Sequence, residues 1–213
     1  MVGKEAPMKR VLALLLCAVA VLSPAWSGAQ PAPPLSVKPV VEKRLKELPA
    51  GSLFWRIETF ATLADAQAAE SATGLAAEIS GKVWLFTLGP AGGATPAVLR
   101  GAKTGATKVA EIGPVPLVPA PEYLLRINHA SGPPGARTPP HSHPGSEAFY
   151  VLTGRLGQKT PHGVVHADAG TAMNGHGADM PMEVFSAGAT DLDQLVMFVV
   201  DATRPFSSPA RFE

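Results

Sequence analysis

Short alternating runs of apolar and polar residues, broken at close intervals, dominate this chain beyond residue 50. Runs rich in Val, Ile, Phe, Trp and Thr are bounded by Gly, Pro or Asp, the pattern of strands joined by turns. It predicts strands over 52–60, 82–88 and 108–112 in the first half. The second half is denser, with strands expected over 122–129, 147–153, 155–159, 163–167, 182–186 and 194–201. Helical signals are few. Val41, Leu45 and Leu48 recur at helical spacing, so 40–48 is expected as one short helix. Thr62 and Asp65 fit a capping box that opens a second helix ending near residue 73. Residues 30–39 are Pro-rich and read as a flexible lead-in, and 113–121 read as an extended connector. The tail, 204–213, is expected to pack over the surface.

Composition sharpens this picture. The chain has 213 residues with 21 Gly and 22 Pro, together about a fifth of the total against roughly 12% in average usage. That much punctuation disfavours long helices and favours an all-β barrel or sandwich. Hydrophobic residues at 46% can build a core, and charged residues at 16% are too few for wholesale disorder. Eighteen basic against 17 acidic residues give a net charge of +1, and the basic residues are scattered, so no nucleic-acid partner is expected.

The first 29 residues carry an export pattern. Lys4, Lys9 and Arg10 precede an apolar run over 11–22, and Ser27 and Ala29 supply small residues before a cut after Ala29. The run is about 12 residues, short of the ~20 that span a bilayer. The expectation is a cleaved signal peptide, a periplasmic or secreted protein, and no stable membrane anchor after cleavage. Cys17 is the sole cysteine and lies inside that run. The chain from Gln30 onward therefore has no thiol chemistry, no disulfide and no Cys-ligated metal.

The candidate chemistry sits in His141-Ser142-His143-Pro144-Gly145-Ser146-Glu147. Residues two apart on an extended strand share a face, so His141 and His143 project together. Pro144-Gly145 marks a turn, and Glu147 opens the next strand. Two imidazoles and a carboxylate brought together suit a borderline divalent metal and leave coordination positions open. Taken alone, the same residues also read as surface histidines beside a solvated acid.

The flanks extend the pattern. Gly135 and Gly154 complete Gly-x5-His-x-His-x3-Glu-x6-Gly, a spacing that chance produces on the order of once in 10⁴ chains of this length. It resembles the first signature motif of the cupin superfamily, and the likeness covers roughly residues 123–201. The resemblance implies an all-β fold, an antiparallel jelly-roll barrel; the short N-terminal helices and extra strands expected from the pattern of residues 40–120 lie outside the likeness. The barrel is placed at 121–203, with 40–120 as an extension packing on it. The resemblance also implies that His141, His143 and Glu147 are metal ligands, that Phe149 and Val151 line the pocket beside Glu147, and that Gly154 makes the hairpin turn. It further implies that two copies can pair through strand edges as a homodimer.

The second cupin motif departs from its pattern. Gly175 fits, but Met173 stands where Pro is usual, Ala178 where the fourth ligand is usual, and Met182 where Asn is usual. His176 lies two residues early, which preserves strand parity, and is expected either as a displaced fourth ligand or as a donor lining the pocket. The implied cofactor is a divalent transition metal: Fe, Mn, Zn, Cu or Ni. The implied function is a metal-dependent enzyme of dioxygenase, decarboxylase or isomerase type acting on a small polar organic molecule. The alternative is a cupin that binds or stores a small ligand without turning it over.

Overall fold

The computed structural model describes residues 1, 3, 31–92 and 105–212. The chain divides into two compact units, 1–31 and 32–213. Residues 2 and 4–30, which hold nearly all of the expected leader, and residues 93–104 lie outside the described residues. The second unit carries all the described strands.

Among the described residues, strands dominate and pair antiparallel. A five-stranded sheet has the order β1 (Ser36–Leu45), β6 (Tyr123–Gly132), β13 (Leu192–Asp201), β8 (Gly145–Thr153), β11 (Ala172–Asn174). Facing it is a smaller sheet of β10 (Gly163–Asp168), β9 (Arg155–Thr160) and β12 (Glu183–Ser186). Arg137 bridges Phe185 of β12, and β7 (His141–Ser142) pairs with β14 (Ser208–Pro209), which continues this layer. From β6 to β13 the chain passes repeatedly between the two layers, which is the antiparallel jelly-roll architecture.

A further sheet, β3 (Gly74–Ile79), β4 (Lys82–Pro90), β2 (Leu53–Phe60), β5 (Thr107–Ile112), covers the outer face of the large sheet. Leu53, Trp55, Ile57, Phe86 and Leu88 from this layer share one core with Leu125, Ile127, Ala148, Leu195, Met197 and Val199. The inner face of the large sheet fills a second core, with Leu124, Ala130, Phe149, Val151, Val196, Phe198 and Val200 meeting Leu156 and Val184. Strands β6, β8 and β13 are thus covered on both faces, which is why apolar residues occupy both parities along them, most fully from Leu195 to Val200 of β13.

Most expected strands appear within a residue or two of their predicted limits. Three expectations need correction. Residues 40–48 do not form a helix, and 36–39 are not a loose lead-in: both belong largely to β1, which pairs along β6 from Ser36↔Ser131 to Leu45↔Tyr123. Val41 and Leu45 are four apart, which suits a helix, but they also share one strand face and pack on the outer core. Ion pairs Arg126–Glu42 and Arg44–Glu122 fix the strand laterally. Pro39 is tolerated because β1 lies at the sheet edge, and the register shifts beside it. The second correction concerns the helix count: among the described residues only α1 (Leu63–Ala68) forms, capped as expected by Thr62, whose hydroxyl accepts the Asp65 amide at 3.1 Å. The third concerns 204–213, which does more than cover the surface, because β14 closes onto β7.

Gly154 turns the β8–β9 hairpin at φ +74°, and a Cβ there would lie 2.6 Å from the Asp191 carbonyl oxygen. Backbone cannot yield as a side chain can. Gly154→Ala should therefore lower stability by on the order of 3 kcal/mol, read as a fall in the denaturation midpoint with unchanged slope.

Candidate functional site

The two histidines are set by backbone pairing on several sides. The His141 amide donates to the Met182 carbonyl at 2.9 Å, and the Met182 amide returns to the His141 carbonyl at 2.8 Å. The His143 carbonyl accepts the Asp179 amide at 2.7 Å. Period-two geometry then places both rings together, with centroids 4.9 Å apart in an edge-on arrangement. Each Nδ1 faces a backbone carbonyl, Pro139 at 2.8 Å for His141 and Phe206 at 2.6 Å for His143. A carbonyl can only accept, so Nδ1 carries the proton in both rings and a neutral ring keeps its lone pair on Nε2.

His143 is buried between the Phe198 and Phe206 rings, each with its centroid 4.8 Å away. Burial depresses this imidazole to about 4, and the Phe206 carbonyl opposes the shift. Positive charge at His141 and Arg126 depresses it further. Arg126 lies over the Phe206 ring at 4.1 Å and is paired with Glu42 at 2.6 Å.

Glu147 projects inward from β8, opposite Phe198 of β13. It is buried, and loss of solvation pushes its carboxyl up to about 8 against the opposing Gln158 hydrogen bond. Gln158 Nε2 donates to Glu147 Oε1 at 2.6 Å. Gly175 allows the 172–176 segment to pass close: a Cβ there would meet Glu147 Cγ at 2.6 Å and the Glu147 carbonyl oxygen at 2.7 Å. That explains the one element of the second motif that the sequence retains.

His141, His143 and Glu147 line one cavity of about 480 Å³ inside the jelly roll. Phe149 lines it as expected, while Val151, on the same face, joins the core beyond it. The rest of the wall is largely apolar, with Leu35, Ala130, Val184, Val196 and Phe198. Two contributions lie outside the sequence motif. The tail supplies Phe206, Ser207 and Pro209, for which no local sequence signal exists. Asn128 and Gln194 project inward among apolar neighbours. Their parity with Leu124 and Val196 is a readable signal, once the inward face is known.

His176 is placed differently from the expectation. Its carbonyl accepts the Glu147 amide at 3.4 Å, but its half-buried ring is not part of the cavity wall. Desolvation, and then His162, lower its affinity for a proton. Strand parity by itself therefore does not make a residue part of the cavity wall. Among the described residues no group of three or more His, Cys, Asp or Glu is positioned to hold a metal ion. His141 and His143 lie together, and Glu147 is hydrogen-bonded to Gln158. Elsewhere, His129 pairs with Asp193, and His166 packs edge-on to Phe185 at 6.2 Å.

No family model and no curated protein matches the chain. Solved structures do resemble part of it. A cupin-like protein from Thermotoga maritima MSB8 is 17% identical with a TM-score of 0.37, over 40% of this chain and 64% of that one. The polyketide cyclase RemF from Streptomyces resistomycificus is 21% identical with a TM-score of 0.35, over 42% and 62%. The DMSP lyase DddQ from Ruegeria pomeroyi DSS-3 is 18% identical with a TM-score of 0.35, over 40% and 43%. The chain thus spans less than two thirds of each of these proteins. These partial overlaps carry no argument about this chain; its own strand order is that of an antiparallel jelly roll.

The two displaced titrations oppose each other in the metal-free protein. Glu147 holds its proton more tightly folded than unfolded, so its contribution is complete below 4.5 and is lost as pH rises through about 8. His143 contributes above 6.5 and loses that contribution as pH falls through about 4. Between pH 6.5 and 8 only the Glu147 contribution changes, so wild-type stability should fall there. Glu147→Gln keeps the acceptor for Gln158 and should flatten that limb, gaining on the order of a few kcal/mol at pH 8 in urea denaturation.

Proposed function

We propose that this chain is an exported cupin that holds a divalent transition metal at His141 and His143 and acts on a small organic molecule in the barrel cavity. The observation that carries this reading is the pair of Nδ1–carbonyl hydrogen bonds. They hold Nδ1 of both rings, so Nε2 of each is the nitrogen left for a metal beside one cavity. Glu147 would be the third donor, and metal uptake would release its proton and its bond to Gln158. The ion would be Fe, Mn, Zn, Cu or Ni, a set consistent with nitrogen and oxygen donors. Bound there, it supplies a Lewis acid, or a redox centre where the metal is redox-active.

The remaining work falls to the chain. The Phe206 and Pro139 carbonyls fix both imidazole planes, and Gln158 orients the Glu147 carboxyl. Phe149, Phe198 and Phe206 exclude water from the space beside them, which strengthens every polar interaction within it. The largely apolar wall favours a less polar molecule than the one the family resemblance suggested. Export rests on the pattern of the first 29 residues. A second reading, a barrel that binds a small molecule without turnover, draws support from the position of His176 outside the cavity wall.

Elemental analysis after cobalt or zinc loading tests the metal. The wild-type protein should take up about one ion per chain, and His141→Ala and His143→Ala should each abolish uptake. His176→Ala should leave the stoichiometry unchanged. Failure of the wild type to load, or full loading of both alanine variants at 141 and 143, would overturn the proposal.

A further inference from the structure

The inward face of the large sheet carries two carboxamides that the metal reading does not use. Asn128 faces Val196 across the β6–β13 pair, and Gln194 faces Ala130 on one side and Val151 on the other. The two are diagonal neighbours on one face. Gln194 is 0% exposed and neither its Oε1 nor its Nε2 has a hydrogen-bond partner. Asn128 is 4% exposed and its Oδ1 is unpartnered. Both side chains line the cavity. Buried polar atoms are rarely left bare, and a ligand that pairs with them recovers what their desolvation cost.

We infer that Gln194 and Asn128 form a recognition subsite for a neutral group that both donates and accepts, an amide or lactam, on the molecule the cavity binds. This rests on the reading of the cavity as a small-molecule site and names the class of molecule. None of the described residues lining the cavity is Lys or Arg, and Arg126, over the Phe206 ring, is already paired with Glu42, so a carboxylate or phosphate buried beside Gln194 would have no cation of its own. A carboxylate also only accepts, and would leave Gln194 Oε1 bare. An amide donates to Oε1 and accepts from Nε2 at once. Gln194 lies four residues along β13 from Phe198, the partner of Glu147, about 13 Å at the rise of a strand. Asn128, Val196 and Phe149 occupy the row between, so past the two carboxamides the body of the ligand meets apolar side chains and its other end reaches the histidines.

Ligand-observed NMR with benzamide, benzoate and toluene tests this, with cobalt uptake measured on the same wild-type protein. Benzamide should bind at least about tenfold more tightly than either of the others, the worth of one well-made pair of hydrogen bonds. Gln194→Leu removes two bare polar atoms at similar volume, and should bring benzamide down to the affinity of toluene. Gln194→Met, more pliant in the same space, should do the same if the leucine variant does not fold. Equal affinity for benzamide and benzoate, no benzamide binding at millimolar concentration, or a preference kept in the variants overturns the inference. An amide preference without cobalt uptake upholds it and counts against the metal alone. Cobalt uptake without an amide preference does the reverse.

Discussion

Burial of β6, β13 and β8 on both faces is the constraint on which this molecule depends. Each of these strands sends alternate residues into two different cores, and a shift of one residue would exchange them. Leu125, Ile127 and Met197 fit the outer layer, while Leu124, Val196 and Phe198 fit the jelly-roll interior. No slipped register would suit both sets. The same alternation forces Glu147, Asn128 and Gln194 inward with the apolar residues, at positions where each is costly to bury. Asn128 Oδ1 and the Gln194 carboxamide are therefore held inward by the packing of the sheet, without hydrogen-bond partners.

The outer layer is what allows this. In a one-sided sheet the outward residues would meet water, and the strands could twist or breathe at small cost. Here Trp55, Trp84 and Phe86 cover them. Strand β1 completes the edge and reaches the site through a relay: Glu42 pairs with Arg126, Arg126 lies over the Phe206 ring, and the Phe206 carbonyl holds His143 Nδ1. The N-terminal strands and the C-terminal tail thus converge on one imidazole, although they are far apart in the chain.

The site itself sets proton-holding and proton-refusing groups side by side without a compensating charge. His143 is kept neutral by its aromatic surroundings and Glu147 by burial. Neutral imidazoles are the form that ligates a cation, and a carboxyl that holds its proton has no positive partner near it. The charge of Arg126, over the Phe206 ring and paired with Glu42, acts on His143 from outside the cavity wall, so most of what the site could do depends on what enters the cavity.

Much of this was legible in the sequence. Period-two alternation located β2, β4, β6, β8, β9, β10 and β13, because those strands have at least one face with a consistent environment. The spacing of Gly135, His141, His143, Glu147 and Gly154 marked the motif, since strand parity and turn chemistry are local properties. The rest was decided by tertiary structure. β1 carries helix-compatible spacing and became a strand because β6 offered it an edge to pair with. β14 is two residues long and exists only because β7 lies beside it. His176 has the right parity for the cavity, but its side chain is not among those that line it. Phe206 has no pattern at all, and yet its carbonyl fixes the tautomer of His143. A sequence determines by itself what local sterics and periodicity dictate, namely which residues are strand and which share a face. Which strands meet, and so which side chains surround a given imidazole, depends on contacts between distant residues, and only the folded chain decides them.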